Sequence, residues 1–304
     1  MKKPQIGWIG LGKMGLPMAA QLVAAGYPVA LFNRTPQKAQ ALVAQGARCV
    51  EQVQELARES DIVFSMVADD QALLDIATGD AGALHALRPG GVFVDMSTVS
   101  PSASERVALL AKSRQVRYLR APVSGSTSMA AAASLTILVS GPLDGYQEVE
   151  PLLRVLGKKI YYLGADEQAR YMKLSINIML GITAAMMSEA MVLSEKVGVD
   201  WHQMIEVISN SAVASPLVGY KAKMLSERDF TPMFTTSQMA KDFDLALDAA
   251  RSVNVPLPIT ALTRQFFGEM VASGYGESDF FSYITLLEEY AGLSGSLAPH
   301  SRQD

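Results

Sequence analysis

Residues 6–35 constrain the fold more than any other stretch. An apolar run, Ile6-Gly7-Trp8-Ile9, opens onto Gly10-Leu11-Gly12-Lys13-Met14-Gly15. An amphipathic segment follows from Leu16 to Ala25, and a second apolar run ends in Leu31-Phe32-Asn33-Arg34-Thr35. The order is strand, glycine turn, helix, strand. Gly10, Gly12 and Gly15 fit G-x-G-x-x-G in the context that pattern needs. The first glycine makes a tight turn, the second lets a pyrophosphate approach the backbone, and the third lets the helix pack on the strand. Free N–H groups at the helix start would face the phosphates, with the helix dipole behind them. Such a unit usually places Asp or Glu about 20 residues on, against the ribose 2′-hydroxyl. Here Asn33-Arg34-Thr35 stands in that place. A carboxylate would repel a 2′-phosphate, whereas an arginine grips it with two charge-assisted bonds. The stretch predicts an NADPH site built from Gly10 to Gly15 and from Asn33, Arg34 and Thr35. The alternative is a plain strand–turn–helix with a surface arginine.

The rest of the first half continues the alternation. A helix is expected near Pro36–Gln45, with strands at Arg48–Val50, Ile62–Met66, Val92–Met96, Val116–Leu119, Leu135–Val139 and Ile160–Leu163. Strands separated by helical segments predict an α/β fold, a Rossmann-type doubly wound, mainly parallel sheet. Ligands bind such sheets outside the carboxyl ends of the strands. Gly10–Gly15, Asn33–Thr35, the Ser65–Asp70 loop with Met66 and Val67, and Ser97-Thr98 all fall on that edge. After Leu163-Gly164 the β pattern stops. A long helix is expected from about Gln168 to Val197, apolar on most faces, then helices at Trp201–Ser211, Val213–Leu225, Gln238–Val253, Thr260–Ser273 and Asp279–Gly292. The predicted organisation is a dinucleotide-binding domain, 1–163, followed by an all-helical domain, 164–304. The long helix is too long for one small domain to cover, so it is expected to link the domains and to contribute to a homodimer or homotetramer interface. The tail Ser294–Asp304 is polar and expected to be loose.

Composition narrows the partners. The formal net charge is −4 with no basic stripe, which argues against nucleic acid. Lys2-Lys3 precedes only a short strand that runs into glycines, and reads as no secretory signal. The most apolar stretch, Ile176–Met187, is short for a bilayer span, so no membrane partner is expected. A single cysteine, Cys49, fits a reducing, cytoplasmic compartment. His85, His202 and His300 make no metal-ligand pattern, so no metal is expected.

Three further clusters carry chemistry. Asp95-Met96-Ser97-Thr98 ends a strand with two hydroxyls, placed to line the nicotinamide end of the groove with Thr98, or to cap the helix that Pro101 begins. Ala121-Pro122-Val123-Ser124-Gly125-Ser126 is a small-residue turn whose N–H and O–H groups suit an anion; it also reads as an ordinary Ser/Gly loop. Lys173 and Asn177 lie four apart on the long helix and share a face. A buried lysine there needs a partner such as a substrate carboxylate or carbonyl oxygen, unless its stem carries the ammonium to water.

Taken together these motifs resemble the β-hydroxyacid dehydrogenases, nearly end to end. The resemblance rests on the glycine motif with Met14-Gly15-Leu16-Pro17-Met18, on Asp95-Met96-Ser97-Thr98, on Pro122-Val123-Ser124-Gly125, on Lys173 with Asn177, and on Lys241-Asp242. Asn33-Arg34-Thr35, Ser126 after Gly125, and Phe234 eight residues before Asp242 bring it nearest to NADPH-dependent glyoxylate/succinic semialdehyde reductases. The resemblance implies hydride transfer between NADPH and a small aldehyde acid or hydroxy acid. It implies Lys173 as catalytic acid, Ser124, Gly125 and Ser126 against the substrate carboxylate, and Asn177 as a substrate-side hydrogen-bonding residue. It implies Lys241 near the cofactor, and Phe234 and Asp242 closing over the substrate. Another β-hydroxyacid dehydrogenase, such as one for 3-hydroxyisobutyrate, is the alternative. Imine reductases and catalytically inactive relatives typically lack the lysine kept here. Three places depart from the family pattern. Glu167-Gln168-Ala169 replaces the usual G-x-G before the lysine, Arg120 replaces an acid before Ala121, and Ala133 replaces a glycine before Leu135.

Overall fold

The computed structural model describes residues 3–293. Lys2 and the tail Ser294–Asp304, including His300, lie outside the described residues. The first strands form one six-stranded parallel sheet: β1 (Ile6–Ile9), β2 (Val29–Phe32), β3 (Arg48–Cys49), β4 (Ile62–Ser65), β5 (Val92–Asp95) and β6 (Arg117–Arg120), in the order β3-β2-β1-β4-β5-β6. That order is the doubly wound dinucleotide-binding arrangement, with the reversal between β1 and β4. Both sheet faces are covered, so the central strands β1, β2, β4 and β5 are mostly apolar. Ile6, Trp8, Ile62, Phe64, Val92, Val94 and Leu119 fill the core on one face. Ile9, Val63, Phe93 and Tyr118 fill it on the other. Trp8 and Phe64 are register partners and stack with ring centroids 5.6 Å apart.

The last expected strands do not extend that sheet. β7 (Val123–Ser124), β8 (Leu135–Val139) and β9 (Gly157–Tyr162) form a separate three-stranded sheet, β7 antiparallel and β9 parallel to β8. The chain is diverted where Arg120 and Ser140 exchange both backbone hydrogen bonds at 2.9 Å, and Pro122 then has no N–H to offer a continuing ladder.

The chain divides into two compact units, Met1–Leu174 and Ser175–Asp304. The division between these units falls inside the helix Gln168–Lys196, whose first turn is bonded into the first unit through Arg170. The helix is long and apolar enough to cross a membrane by length and composition, which revises the expectation drawn from Ile176–Met187 alone. Its Ala184, Ala185, Met187, Met191 and Val192 are instead packed in the core of the second unit. The other helices of that unit are Trp201–Ser209, Pro216–Glu227, Thr236–Ser252, Pro258–Ala272 and Tyr283–Tyr290. Side-chain caps set the starts of the first three. Ser215 caps Val218 N–H, so a helix expected at Val213 begins at Pro216. Thr235 forms a reciprocal box with Gln238, so the next begins at Thr236. The expected Asp279–Gly292 helix is split, with one 3-10 turn, Phe280–Ser282, before Tyr283.

Candidate functional site

The three glycines have different reasons to be glycine. Gly10 has φ +97°, and a Cβ there would lie 2.2 Å from Met66 O. A Cβ on Gly15 would lie 2.1 Å from Gly10 O. The fold itself therefore requires both. A Cβ on Gly12 would meet nothing within 4 Å. No protein contact explains Gly12, whereas a bound phosphate seated against the backbone would. The helix Gly15–Ala24 that follows has no side-chain cap, so no side-chain oxygen competes with an anion at its N-terminus, although Leu16 N–H is bonded to Gly12 O and Pro17 carries no N–H. These features fit a dinucleotide. Leu11 is buried and can offer only backbone, Lys13 is exposed, and Met14 is half-buried against the core.

Asn33 links this turn to the end of β2. Its Oδ1 accepts from Leu11 N–H at 2.9 Å and its Nδ2 donates to Thr35 O at 2.8 Å. The amide thus sets the spacing between the glycine turn and the exposed Arg34-Thr35 pair.

The ends of β4 and β5 are tied together. Asp95 Oδ1 accepts from Ser65 Oγ at 2.6 Å and from Ser97 Oγ at 2.7 Å, and Ser97 Oγ accepts from Val67 N–H at 2.8 Å. Met66 and Val67 are half-buried on this edge. The hydroxyl that caps the Pro101–Ser113 helix belongs to Ser100, which accepts from Ala103 N–H at 3.0 Å. Ser97 and Thr98 are therefore not the cap, and Ser97 is committed to Asp95.

One arginine missed in the sequence completes this cluster. Arg170 is 1% exposed. Its Nη2 donates to Asp95 Oδ2 at 2.5 Å and to Tyr118 OH at 3.0 Å, its Nη1 to Ser97 O at 2.6 Å, and its Nε to Ser104 Oγ at 3.3 Å. Burial works to lower the pKa of Arg170, but Tyr118 and Asp95 outweigh it and hold the guanidinium charged. Burial pushes the Tyr118 phenol up, with Arg170 opposing. Two of the departures from the family pattern also meet here: Arg120 and Glu167 form a buried ion pair, with Arg120 Nε donating to Glu167 Oε1 at 2.8 Å. Arg120 lies over the Tyr118 ring at 4.6 Å. The opposite signs at 120 and 167 were the readable signal of that pairing. Ala133 has φ +51°, in the left-handed region that favours glycine.

In the Ser124 turn, Gly125 has φ +143° and is exposed, and Ser124 pairs with Thr136. Ser126 Oγ caps the short helix Thr127–Ala131 through Met129 N–H at 3.3 Å, so its hydroxyl already serves the local turn. Lys173 is half-buried, one turn beyond Arg170.

In the second unit, Asn177, Lys241 and Asp242 come together. Asn177 Nδ2 donates to the buried Asp242 Oδ2 at 2.5 Å, and Lys241 Nζ pairs with Asp242 Oδ1 at 3.0 Å. Asp242 fixes the orientation of the Asn177 amide. Phe234 lies edge-on to Phe280 at 6.2 Å between ring centroids.

Comparison with known proteins agrees with this geometry. A family model for the NAD binding domain of 6-phosphogluconate dehydrogenase matches residues 5–164, and one for the NAD-binding of NADP-dependent 3-hydroxyisobutyrate dehydrogenase matches residues 168–287. The chain is 38% identical to 2-(hydroxymethyl)glutarate dehydrogenase of Eubacterium barkeri, over 97% of this chain and 98% of that protein. It is 34% identical to glyoxylate/succinic semialdehyde reductase 2, chloroplastic, of Arabidopsis thaliana, over 93% of this chain and 79% of that one. The structure of Mycobacterium tuberculosis 3-hydroxyisobutyrate dehydrogenase with L-serine matches at a TM-score of 0.86 and 30% identity, covering 94% of this chain and 99% of that chain.

Proposed function

The chain belongs to the β-hydroxyacid dehydrogenase family, oxidoreductases of hydroxyl and aldehyde groups, and on that premise we propose an NADPH-dependent reductase of small aldehyde acids, of the glyoxylate or succinic semialdehyde kind. The observation that carries the reading is the Asn33 bridge. It sets Arg34 and Thr35 beside the glycine turn, where an NAD enzyme would place a carboxylate.

Bound NADPH supplies the hydride. The protein's part is to bind, orient and move one proton. Gly10 to Gly15 seat the pyrophosphate, Arg34 and Thr35 the 2′-phosphate, and Met66, Val67 and Thr98 the far end of the groove. Ser124, Gly125 and Ser126 hold the substrate carboxylate through N–H and O–H groups, which fixes the carbonyl face presented for reduction. Lys173 hydrogen-bonds the carbonyl oxygen, stabilises the charge that grows there, and delivers the proton. Asn177, held by Asp242, contributes a fixed hydrogen-bonding group, and Lys241 and Phe234 enter by their family positions. The enzyme is proposed to act in the cytoplasm as a homodimer or homotetramer, without nucleic acid, membrane or metal.

The test is turnover of glyoxylate, succinic semialdehyde, methylmalonate semialdehyde and tartronate semialdehyde with NADPH and with NADH. Reduction of one of the first two with NADPH is expected. Turnover confined to the last two moves the assignment to their class. Arg34→Ala is expected to raise KM for NADPH by about ten- to a hundredfold, from the roughly 1.5–3 kcal/mol of a charged hydrogen bond, and to leave KM for NADH nearly unchanged. Equal losses with both cofactors would remove the NADPH assignment.

A further inference from the structure

The turn that leads into Lys173 is tied down by a set of polar contacts. Ser140 Oγ donates to Asp166 O at 2.6 Å and accepts from Ala169 N–H at 3.2 Å. Glu167 pairs with Arg120. Arg170 then reaches Asp95, the Ser97 carbonyl, Tyr118 and Ser104 with one guanidinium. Through Asp95 the same group is linked to Ser65 and, through Ser97 Oγ, to Val67 N–H. The ends of β4 and β5, Tyr118 of β6 and the first turn of the lysine helix are therefore joined through one buried ion. Replacing a buried ion pair by well-packed apolar residues is often neutral or stabilising. Such a pair is thus a poor source of stability, and what this one supplies is geometry: a planar fork presents its donors in fixed directions, and here it meets four acceptors at once.

We propose that Arg170 is a positioning residue for the reduction. It registers the Lys173 turn against the β4 and β5 loops that flank the nicotinamide end of the groove. The proposal rests on the reading of Lys173 as the proton donor. Arg170 touches neither substrate nor cofactor in this scheme. It acts through the Ser97 carbonyl on one side and the helix turn on the other. A misplacement of about 1 Å in a reacting constellation costs on the order of a hundredfold in rate, so loss of the fork should appear in hydride transfer and not in cofactor binding.

The experiment uses the full chain with the aldehyde acid reduced fastest, and compares Arg170→Lys, Arg170→Met and Lys173→Met with wild type. The readouts are the single-turnover rate of NADPH oxidation per cofactor-binding site, its isotope effect with NADPH deuterated at the transferred position, and NADPH affinity by fluorescence titration. Arg170→Met leaves Asp95 buried without its cation, so Arg170→Lys, which keeps the charge but not the fork, carries the test if the methionine variant does not fold. Arg170→Lys is expected to slow hydride transfer by about tenfold or more, change the isotope effect, and leave NADPH affinity within about threefold. Folded Arg170→Lys with wild-type rate and isotope effect overturns the proposal, even if its melting temperature falls, because that is the pattern of a purely structural role. Lys173→Met separates the two readings. If it is slow while Arg170→Lys is not, the lysine stands and the positioning role falls. If Lys173→Met turns over like wild type, both fall.

Discussion

Gly12 and Gly15 stand three residues apart in one motif, yet the structure asks for them on different grounds. A methyl on Gly15 collides with the Gly10 carbonyl, part of a backbone that cannot swing away, whereas a methyl on Gly12 enters open space. Gly15→Ala should therefore lower the stability of the cofactor-free protein by about 1–3 kcal/mol, the range for overpacking. Gly12→Ala should leave its melting temperature nearly unchanged and weaken NADPH binding. Thermal melts without cofactor, followed by fluorescence titration, check both. Wild-type NADPH affinity in Gly12→Ala would mean that the pyrophosphate does not lie on this turn. At this scale the motif residues were legible because their spacing encodes backbone geometry. Arg170 was not, because nothing in Gln168-Ala169-Arg170-Tyr171 says that the side chain turns inward. Its meaning depends on Asp95 and Tyr118, more than fifty residues away in sequence. The Ser126 hydroxyl also caps its own helix, a local duty that the small-residue turn does not announce.

The strands of the main sheet and the long helix were legible as elements, since continuous apolar runs of four and an apolar segment of thirty have few alternatives. The second sheet was not separable from the first, because β8 carries the same apolar signature as β4 and β5. The Arg120–Ser140 pairing and Pro122 divert the chain. The far end of the long helix adds an electrostatic arrangement that pattern reading could not anticipate. Arg228 Nη2 meets both Glu195 Oε1, at 3.3 Å, and the buried Glu288 Oε1, at 2.8 Å, while its guanidinium lies 4.0 Å from the Trp201 ring. Two carboxylates share one cation. Burial, then the charge of Glu288, raises the Glu195 carboxyl above its ordinary value, with Arg228 opposing. The folded chain therefore holds a proton at Glu195 at pH values where the unfolded chain has released it. This contribution to stability is complete below the unfolded pKa and is lost as pH rises through the folded one. Glu195→Gln removes it. The rise in melting temperature on going from about pH 7 to about pH 5 should be smaller in the variant than in wild type. Identical pH slopes would show that Glu195 titrates as it does in the unfolded chain.

At the scale of the whole molecule, the first unit was readable in outline because its ligand edge follows from strand order. The interior of the second was not, since five helices with mixed faces can pack in many ways. Their arrangement depends on contacts such as Lys221 with Asp279, a buried pair among Phe280 and Phe281, that no local pattern announces. The long helix nevertheless leaves a mark that both sequence and structure carry. Met179, Met186 and Leu193 recur every seven residues and are 69%, 52% and 70% exposed in the single chain. Residues seven apart return to nearly the same face of a helix, so these three make one apolar stripe, while the opposite face of the same helix, with Ala184, Met187 and Met191, is in the core. An isolated exposed leucine needs no explanation, but a continuous apolar stripe along a helix points to an interaction surface. A second copy of this chain is the partner proposed for it. Light scattering at micromolar concentration should then give the mass of a dimer or tetramer. Met179→Asp with Met186→Asp should shift it to monomer. Because neither side chain is part of the core, the far-ultraviolet spectrum should be unchanged. The melting temperature should fall, and it should lose the dependence on protein concentration that an associating wild type shows. A wild-type chain that scatters as a monomer, or a double variant that still associates, would take this stripe out of the interface.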